Sequence, residues 1–251
     1  MNIILFEESE SDRLLPLDDA RARHVVDVIG CKEGDSFDVG LVNGPRGKAR
    51  IARISKRGLQ LDFHFAVEVP TLYPVELIIG LPRPPSARRI LKDLTTQGVE
   101  KMHFVSTDKG EKSYLNSRLW AGGEYRRLLR EGAEQAFCTR LPEVALYESL
   151  TDCIANLPTG ERLALDNYEA DCSLGSLDRV AQSYILAVGA ERGWSARERN
   201  ELREGDFTLV NLGSRVLKTE TACIVGLALV LEKIKAYRVV IHASFLTVRI
   251  L

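Results

Sequence analysis

From Tyr73 onward the chain alternates short apolar runs with segments whose apolar residues recur at helical spacing, and this alternation limits the fold more than any other feature. "VELIIGL" reads as a strand of the buried type, and "KMHFVST", "ERLALDN", "SYILAVGA" and "FTLVNL" read as further strands. Between and after them lie helical segments. "SARRILKDLTTQG" offers Ser86 as N-cap and Gly98 as C-cap. "SRLWAGGEYRRLLREGAEQAF" carries Gly122-Gly123 near its start, which weakens that end. "SARERNELREG" and "TETACIVGLALVLEKI" follow. Alternation with no long β-only run predicts an α/β domain, residues 73–251, built on a parallel sheet. Ligands in such sheets sit at the carboxyl ends of strands. Three polar or glycine-bearing loops end strands here: Asp166–Ala170, Gly189–Ser195 and Leu212–Thr221.

Residues 1–70 have a different texture. The runs Ser36–Leu41, Lys48–Ile54 and Leu59–Val67 are separated by "KEGD", "NGPRG" and "KRG", which predicts a compact β-barrel. "LDDARARHVVDVI" reads as a short amphipathic helix with Ala22, Val25, Val26 and Ile29 on one side. "VPTLYP" reads as a linker. The tail "RVVIHASFLTVRIL" is β-prone and suits either an edge strand or a partner contact.

Composition narrows the function classes. Apolar content of 45% and charged content of 27% are those of a globular protein. No run approaches the ~18 apolar residues of a membrane span, and the acidic start "MNIILFEESE" is unlike a signal peptide. A cytoplasmic protein without membrane contact is expected. The cysteines, Cys31, Cys138, Cys153, Cys172 and Cys223, are scattered with no C-x-x-C pair, so no metal is expected and free thiols are. Net charge is −1, yet residues 83–140 hold 12 Lys/Arg against 7 Asp/Glu. That segment suits nucleic-acid contact, or a solvated helical face.

The loop "NLGSRVLKTETA" first suggests a phosphate-binding loop, but Val216-Leu217 stands where the glycine before the lysine is needed, and Glu220 would repel phosphate. "AVGAERGWS" has two glycines and a capping-box pattern, Ser195 with Glu198. Alone it is also the composition of an ordinary strand-to-helix loop. Neither loop has dinucleotide-binding spacing. Between them they present Arg215 and Lys218 as cations and Glu191 and Glu220 as carboxylates. His24 and His103 are expected to be packed rather than catalytic, and Trp120 and Trp194 to be core or interface residues. The apolar stripe of the last helix is expected to face the core or a second subunit.

Together, "GAERGWS" and "LGSRVLKTETA" resemble the signature of the SPOUT methyltransferases, in the family that methylates N3 of a uridine in 16S ribosomal RNA. "EQAFCTRLPEV", "ILKDLTTQGVEKMHFVST" and the N-terminal "RHVVDVIGCKEGD" are similar to further family segments, so the resemblance spans nearly the whole chain. It implies a PUA-like, RNA-binding β-barrel over residues 1–70, ahead of a trefoil-knotted SPOUT domain. It implies S-adenosylmethionine as cofactor, held by Leu165, Gly189, Glu191, Gly193, Leu212, Gly213, Leu217, Thr219, Thr221 and Ala222. It implies Arg215 and Glu220 as catalytic residues and Arg88, Arg89, Lys92 and Arg140 as RNA contacts. The partners implied are the 16S RNA of the small ribosomal subunit and a second copy of the chain, in ribosome biogenesis. Several positions depart from the family pattern: Gly30, Gln97, Cys138, Ala190, Arg192, Ser214 and Lys218. They keep two alternatives in view, a SPOUT enzyme acting on another RNA and a non-catalytic RNA-binding or ribosome-assembly protein.

Overall fold

A computed structural model describes residues 2–10, 14–66 and 68–234. The N-terminal part is built on a four-stranded sheet. β1 (Ile4–Phe6) lies parallel to β2 (Ser36–Leu41), and β3 (Arg46–Ser55) and β4 (Gly58–Phe65) continue it as an antiparallel meander. Period-two alternation sets the faces: Ala49 and Ile51 of β3 are buried while Arg46, Lys48 and Arg50 are exposed. "ILF" was not anticipated as a strand, because three residues are too few to show a period. Asp19 caps α1 (Ala20–Arg23) by accepting from the Arg21 N–H at 2.8 Å, and the helix runs into a π turn over His24–Ile29. Ala22 and Val25 are buried as expected, but Ile29 is 39% exposed. The wider π turn rotates the apolar face outward before Gly30, at φ +80°, ends it.

The second sheet has seven strands, all neighbours parallel. In chain order they are β5 (Tyr73–Gly80), β6 (Val99–Val105), β7 (Glu143–Tyr147), β8 (Glu161–Leu165), β9 (Cys172–Ser173), β10 (Tyr184–Val188) and β11 (Thr208–Asn211). Across the sheet the order is β7-β6-β5-β10-β8-β11-β9. The helices are α2 (Pro84–Thr96), α3 (Arg118–Ala121), α4 (Glu124–Gln135), α5 (Leu150–Ala155), α6 (Ala196–Glu204) and α7 (Thr219–Lys233). Leu77 and Ile79 of β5 pack into one core with α2, α4 and α7, and Ile78 between them packs into the other core with α5 and α6. That is the three-layer arrangement the buried-type strand calls for.

The local differences have local causes. Ser86 is not the N-cap of α2: the helix begins at Pro84-Pro85, whose fixed φ suits a first turn, and Ser86 is buried one turn in. Gly98, at φ +81°, follows the C-cap Gln97. The long segment around Trp120 is two helices, because Gly123 takes φ +69° between them. β7, α5 and β9 were not anticipated. The proposed linker ends where Tyr73 enters β5. The β-prone tail lies outside the described residues.

The two sheets meet along α4. The Ile3 N–H donates to the Glu134 carbonyl (3.2 Å) and the Leu5 N–H to the Glu134 carboxylate (3.1 Å), while Ile3 and Leu5 pack on Ala133. The turn after β2 docks beside them: the Asn43 N–H donates to the Thr139 carbonyl (2.8 Å) and the Thr139 hydroxyl to the Gly44 carbonyl (2.5 Å).

Candidate functional site

The carboxyl ends of β8, β10 and β11 lie side by side, and the loop after each one forms a wall of a single cleft. The cleft encloses about 700 Å³ including its open mouth. It collects eight residues expected to hold a cofactor: Leu165, Gly189, Glu191, Gly193, Leu212, Leu217, Thr219 and Ala222. Arg215 joins them at the rim. Gly213 lies just outside, in an adjoining hollow shared with Tyr168 and Arg215. Thr221 is exposed and does not line the cleft. Nor does Glu220, whose carboxylate stands 3.7 Å from Arg89 at the start of α7.

The sequence reading gave no cofactor role to Asp166, Asn167, Tyr168, Val188, Ala190 and Val216, which complete the lining. The first three sit in a loop already marked as a strand end. Ala190 and Val216 lie inside the two motifs, at positions where no role had been assigned.

The Gly189–Ser195 wall is fixed from several sides. Trp194 is fully buried, and its indole N–H donates to the Leu165 carbonyl at 3.2 Å, tying this loop to the end of β8. Gly193 takes φ +62° and donates its N–H to the Ala190 carbonyl at 2.8 Å. The expected capping box is present: Ser195 and Glu198 satisfy each other's backbone N–H groups. The other oxygen of the buried Glu198 accepts from the Asp108 N–H at 2.8 Å. Asp108 in turn receives the Ser195 hydroxyl (2.5 Å) and the Arg197 guanidinium, and these bonds, the guanidinium first, hold its carboxyl below the usual range.

The β8 wall rests on a buried ion pair. Asp166, 2% exposed, accepts from Arg199 Nε at 2.7 Å and from the Tyr168 and Glu169 N–H groups at 2.8 and 2.7 Å. Arg199 also lies 5.2 Å from the Tyr168 ring centre and 3.3 Å from Glu169. The third wall, 212–218, is looser: the Asn211 side chain accepts from the Gly213 N–H at 3.0 Å, and Val216 is 82% exposed.

The lining mixes apolar side chains with glycine backbone and has one cation at its mouth. Such a site suits a folded ligand with an apolar ring and polar ends better than a polyphosphate. Among the described residues no group of His, Cys, Asp and Glu is placed to hold a metal. The basic residues divide. Arg88 pairs with Glu124 at 2.9 Å and Lys92 with Glu131 at 2.9 Å, Arg89 is exposed with a looser contact to Glu220, and Arg140 reaches toward solvent. His103 is fully buried with Nε2 2.6 Å from Glu76, and Trp120 packs on Phe104.

Residues 69–231 match the family model for an RNA methyltransferase domain. Over 248 residues the chain is 36% identical to the ribosomal RNA small subunit methyltransferase E of Treponema pallidum, covering 95% of this chain and 93% of that one. It is 29% identical to the ribosomal RNA small subunit methyltransferase E 1 of Borreliella burgdorferi, over 93% and 99%. Among solved structures, the Neisseria gonorrhoeae ribosomal RNA small subunit methyltransferase E bound to S-adenosylmethionine superposes with a TM-score of 0.76 at 20% identity, covering 92% of this chain and 97% of that one.

Proposed function

Because this chain belongs to the RNA methyltransferase family that contains the small-subunit ribosomal RNA methyltransferases E, we propose that it methylates N3 of a uridine in 16S ribosomal RNA, using S-adenosylmethionine. The observation that carries the reading is the cleft at the ends of β8, β10 and β11, where two motif loops and the first turn of α7 converge on one space. Its contents suit that cofactor. Leu165, Val188, Leu217 and Ala222 offer apolar surface to an adenine ring, and Gly189, Gly193 and Leu212 bring backbone groups to the polar ends. When bound, S-adenosylmethionine supplies an electrophilic methyl group and needs no metal.

The chain's own residues then have defined tasks. The cleft walls align the acceptor with the methyl donor. Arg215, at the rim, stabilises the charge that develops on the uracil carbonyls as N3 loses its proton. Glu220, beside Arg89, or water receives that proton. Gly213 and Thr221 shape the loop and the helix start next to the cofactor. Arg140 meets RNA phosphates directly; Arg88, Arg89 and Lys92 do so by exchanging their glutamate partners for phosphate.

The finer architecture belongs to the same proposal. A strand order in which β10 separates β5 from β8, with α7 laid against β5 and β10, supports a knotted path for the SPOUT part, residues 73–251. The β1–β4 sheet closed by α1 supports a PUA-like barrel over residues 1–70 that binds RNA. Ile224, Val225 and Ala228 leave α7 with a partly exposed apolar face, which supports a homodimer. A ribosomal RNA substrate places the enzyme in the cytoplasm.

Calorimetry with S-adenosylmethionine tests the cofactor: no binding at millimolar concentration would remove the enzyme reading. Mass spectrometry of 16S RNA from a strain lacking the gene tests the target; an N3-methyluridine that persists there rules this uridine out. Arg215→Ala is expected to keep cofactor affinity within a few-fold and to lose at least ~100-fold in turnover, the scale of a lost charge-stabilising donor. Unchanged turnover removes Arg215 from the mechanism.

A further inference from the structure

The cofactor cleft shares a wall with a second hollow to which methyl transfer assigns no task. Arg83, Lys109, Glu111, Tyr114, Glu191 and Arg192 line an open groove of about 800 Å³, and Glu191 belongs to both spaces. The carboxylates of this groove are engaged by backbone: Glu191 accepts from the Arg83 N–H at 3.1 Å and Glu111 from the Ser113 N–H at 3.2 Å. Among the described residues neither carboxylate is ion-paired with a cation of the groove. Lys109 donates to the carbonyls of Trp194 (2.8 Å) and Arg192 (3.4 Å), which fix its ammonium in place without cancelling its charge. Among the described residues the guanidinium groups of Arg83 and Arg192 have no ion pair, whereas those of Arg88, Arg197 and Arg199 do.

Three cations against two carboxylates leave the groove net positive, which suits an anion. The groove is open rather than enclosed, which suits one charge on a continuing chain better than a small molecule held on all sides. Its position beside the cleft fixes which anion. A nucleotide whose base enters the cleft must carry its backbone out past Glu191. Resting on the methyltransferase reading, we propose that Arg83, Lys109 and Arg192 clamp an RNA phosphodiester flanking the nucleotide that is methylated. The clamp positions RNA without reading its sequence. Because Lys109 grips the carbonyls of the loop that walls the cofactor cleft, it also links the phosphate mechanically to that loop.

The test uses the full chain and a short oligouridylate, followed by fluorescence anisotropy across a series of salt concentrations, with calorimetry for S-adenosylmethionine. Arg83→Ala combined with Arg192→Ala is expected to weaken oligouridylate binding about tenfold and to lower the slope of log affinity against log salt by up to about 0.7, the value for one phosphate contact on a single strand. Cofactor affinity stays at the parent value. In turnover the KM for RNA rises while kcat holds, and Arg192→Lys recovers most of the loss. An unchanged slope and affinity in a double variant that still binds cofactor overturns the clamp and leaves the methyltransferase reading standing. If the double variant no longer binds cofactor, Arg192→Gln alone decides, with half the slope change expected and no change overturning the proposal. A parent chain that binds oligouridylate through these arginines but does not bind S-adenosylmethionine supports the clamp and overturns methyl transfer.

Discussion

Glu134 illustrates how one side chain can serve a fold at some cost. Its carboxylate accepts the Leu5 N–H at the junction of the two sheets, and burial pushes its carboxyl above the ordinary range, opposed in part by that N–H and by Arg130. A raised carboxyl value means that the protonated form favours folding. That contribution is complete below the unfolded value and is lost as pH rises through the folded one. Glu134→Gln keeps an acceptor for Leu5 and removes the buried charge. It should therefore match or raise Tm at neutral pH, by about 1–3 °C, with the difference closing near pH ~4; a marked fall at neutral pH contradicts this account. The thiols give a second prediction at this scale. Burial raises Cys153 to about 12 and pushes Cys223 up as well, while Cys31, Cys138 and Cys172 are partly exposed. A thiol-disulfide reagent should label at most those three in the native protein, and labelling of Cys153 or Cys223 before unfolding would show a more open core. Gly189 and Leu217 were legible as lining residues because they sit in two motifs that resemble the signature of a known family. Asp166 was not, because its role depends on Arg199, which lies 33 positions away and is brought to it only by the fold.

At the scale of elements, strands β5, β8, β10 and β11 were legible because each is apolar, short and bounded by polar turns. β7, though as long as β8 and β10, was missed as an edge strand with no buried residue, and α5 and β9 were missed because six and two residues carry too little pattern. The same dependence on context governs the end of β8. Asp166 and Arg199 tie its loop to α6 through a pair with 2% and 8% side-chain exposure. Asp166→Ala leaves the guanidinium buried without its partner and frees two backbone N–H groups. The expected loss is about 3–5 kcal/mol in denaturant unfolding, together with weakened cofactor binding. A loss below about 1 kcal/mol indicates that Glu169 takes over the pair. On the other side of the cleft, α7 approaches so closely that a side chain at Gly226 would meet Leu186 at 2.8 Å and Leu165 at 3.2 Å. A side chain at position 226 therefore has to displace the end of Leu186 if α7 is to keep its place over the site.

For the whole molecule, alternation along the sequence was enough to indicate an α/β domain on a parallel sheet, but strand order was not legible, since nothing local tells β10 to separate β5 from β8. The contact between the sheets, with Asn43 and Gly44 against Thr139, was equally hidden because both sides are loops. The proposed dimer makes a prediction here. Val225→Asp places a charge on the partly exposed face of α7 and should shift the particle from dimer to monomer in size-exclusion light scattering; a parent chain that already runs as a monomer removes the dimer. The unequal walls of the cleft carry a further consequence. The Gly189–Ser195 wall, held by Trp194, Lys109 and Asp108, loses its conformational entropy when the chain folds. The 212–218 wall, tied at its ends by the Asn211 side chain and the Lys218 carbonyl but with Val216 in solvent, has that loss still ahead of it at each encounter. The lifetime of a bound ligand is thus set by how often the second wall opens. Amide exchange should be slow along the first wall and fast along the second until a ligand arrives.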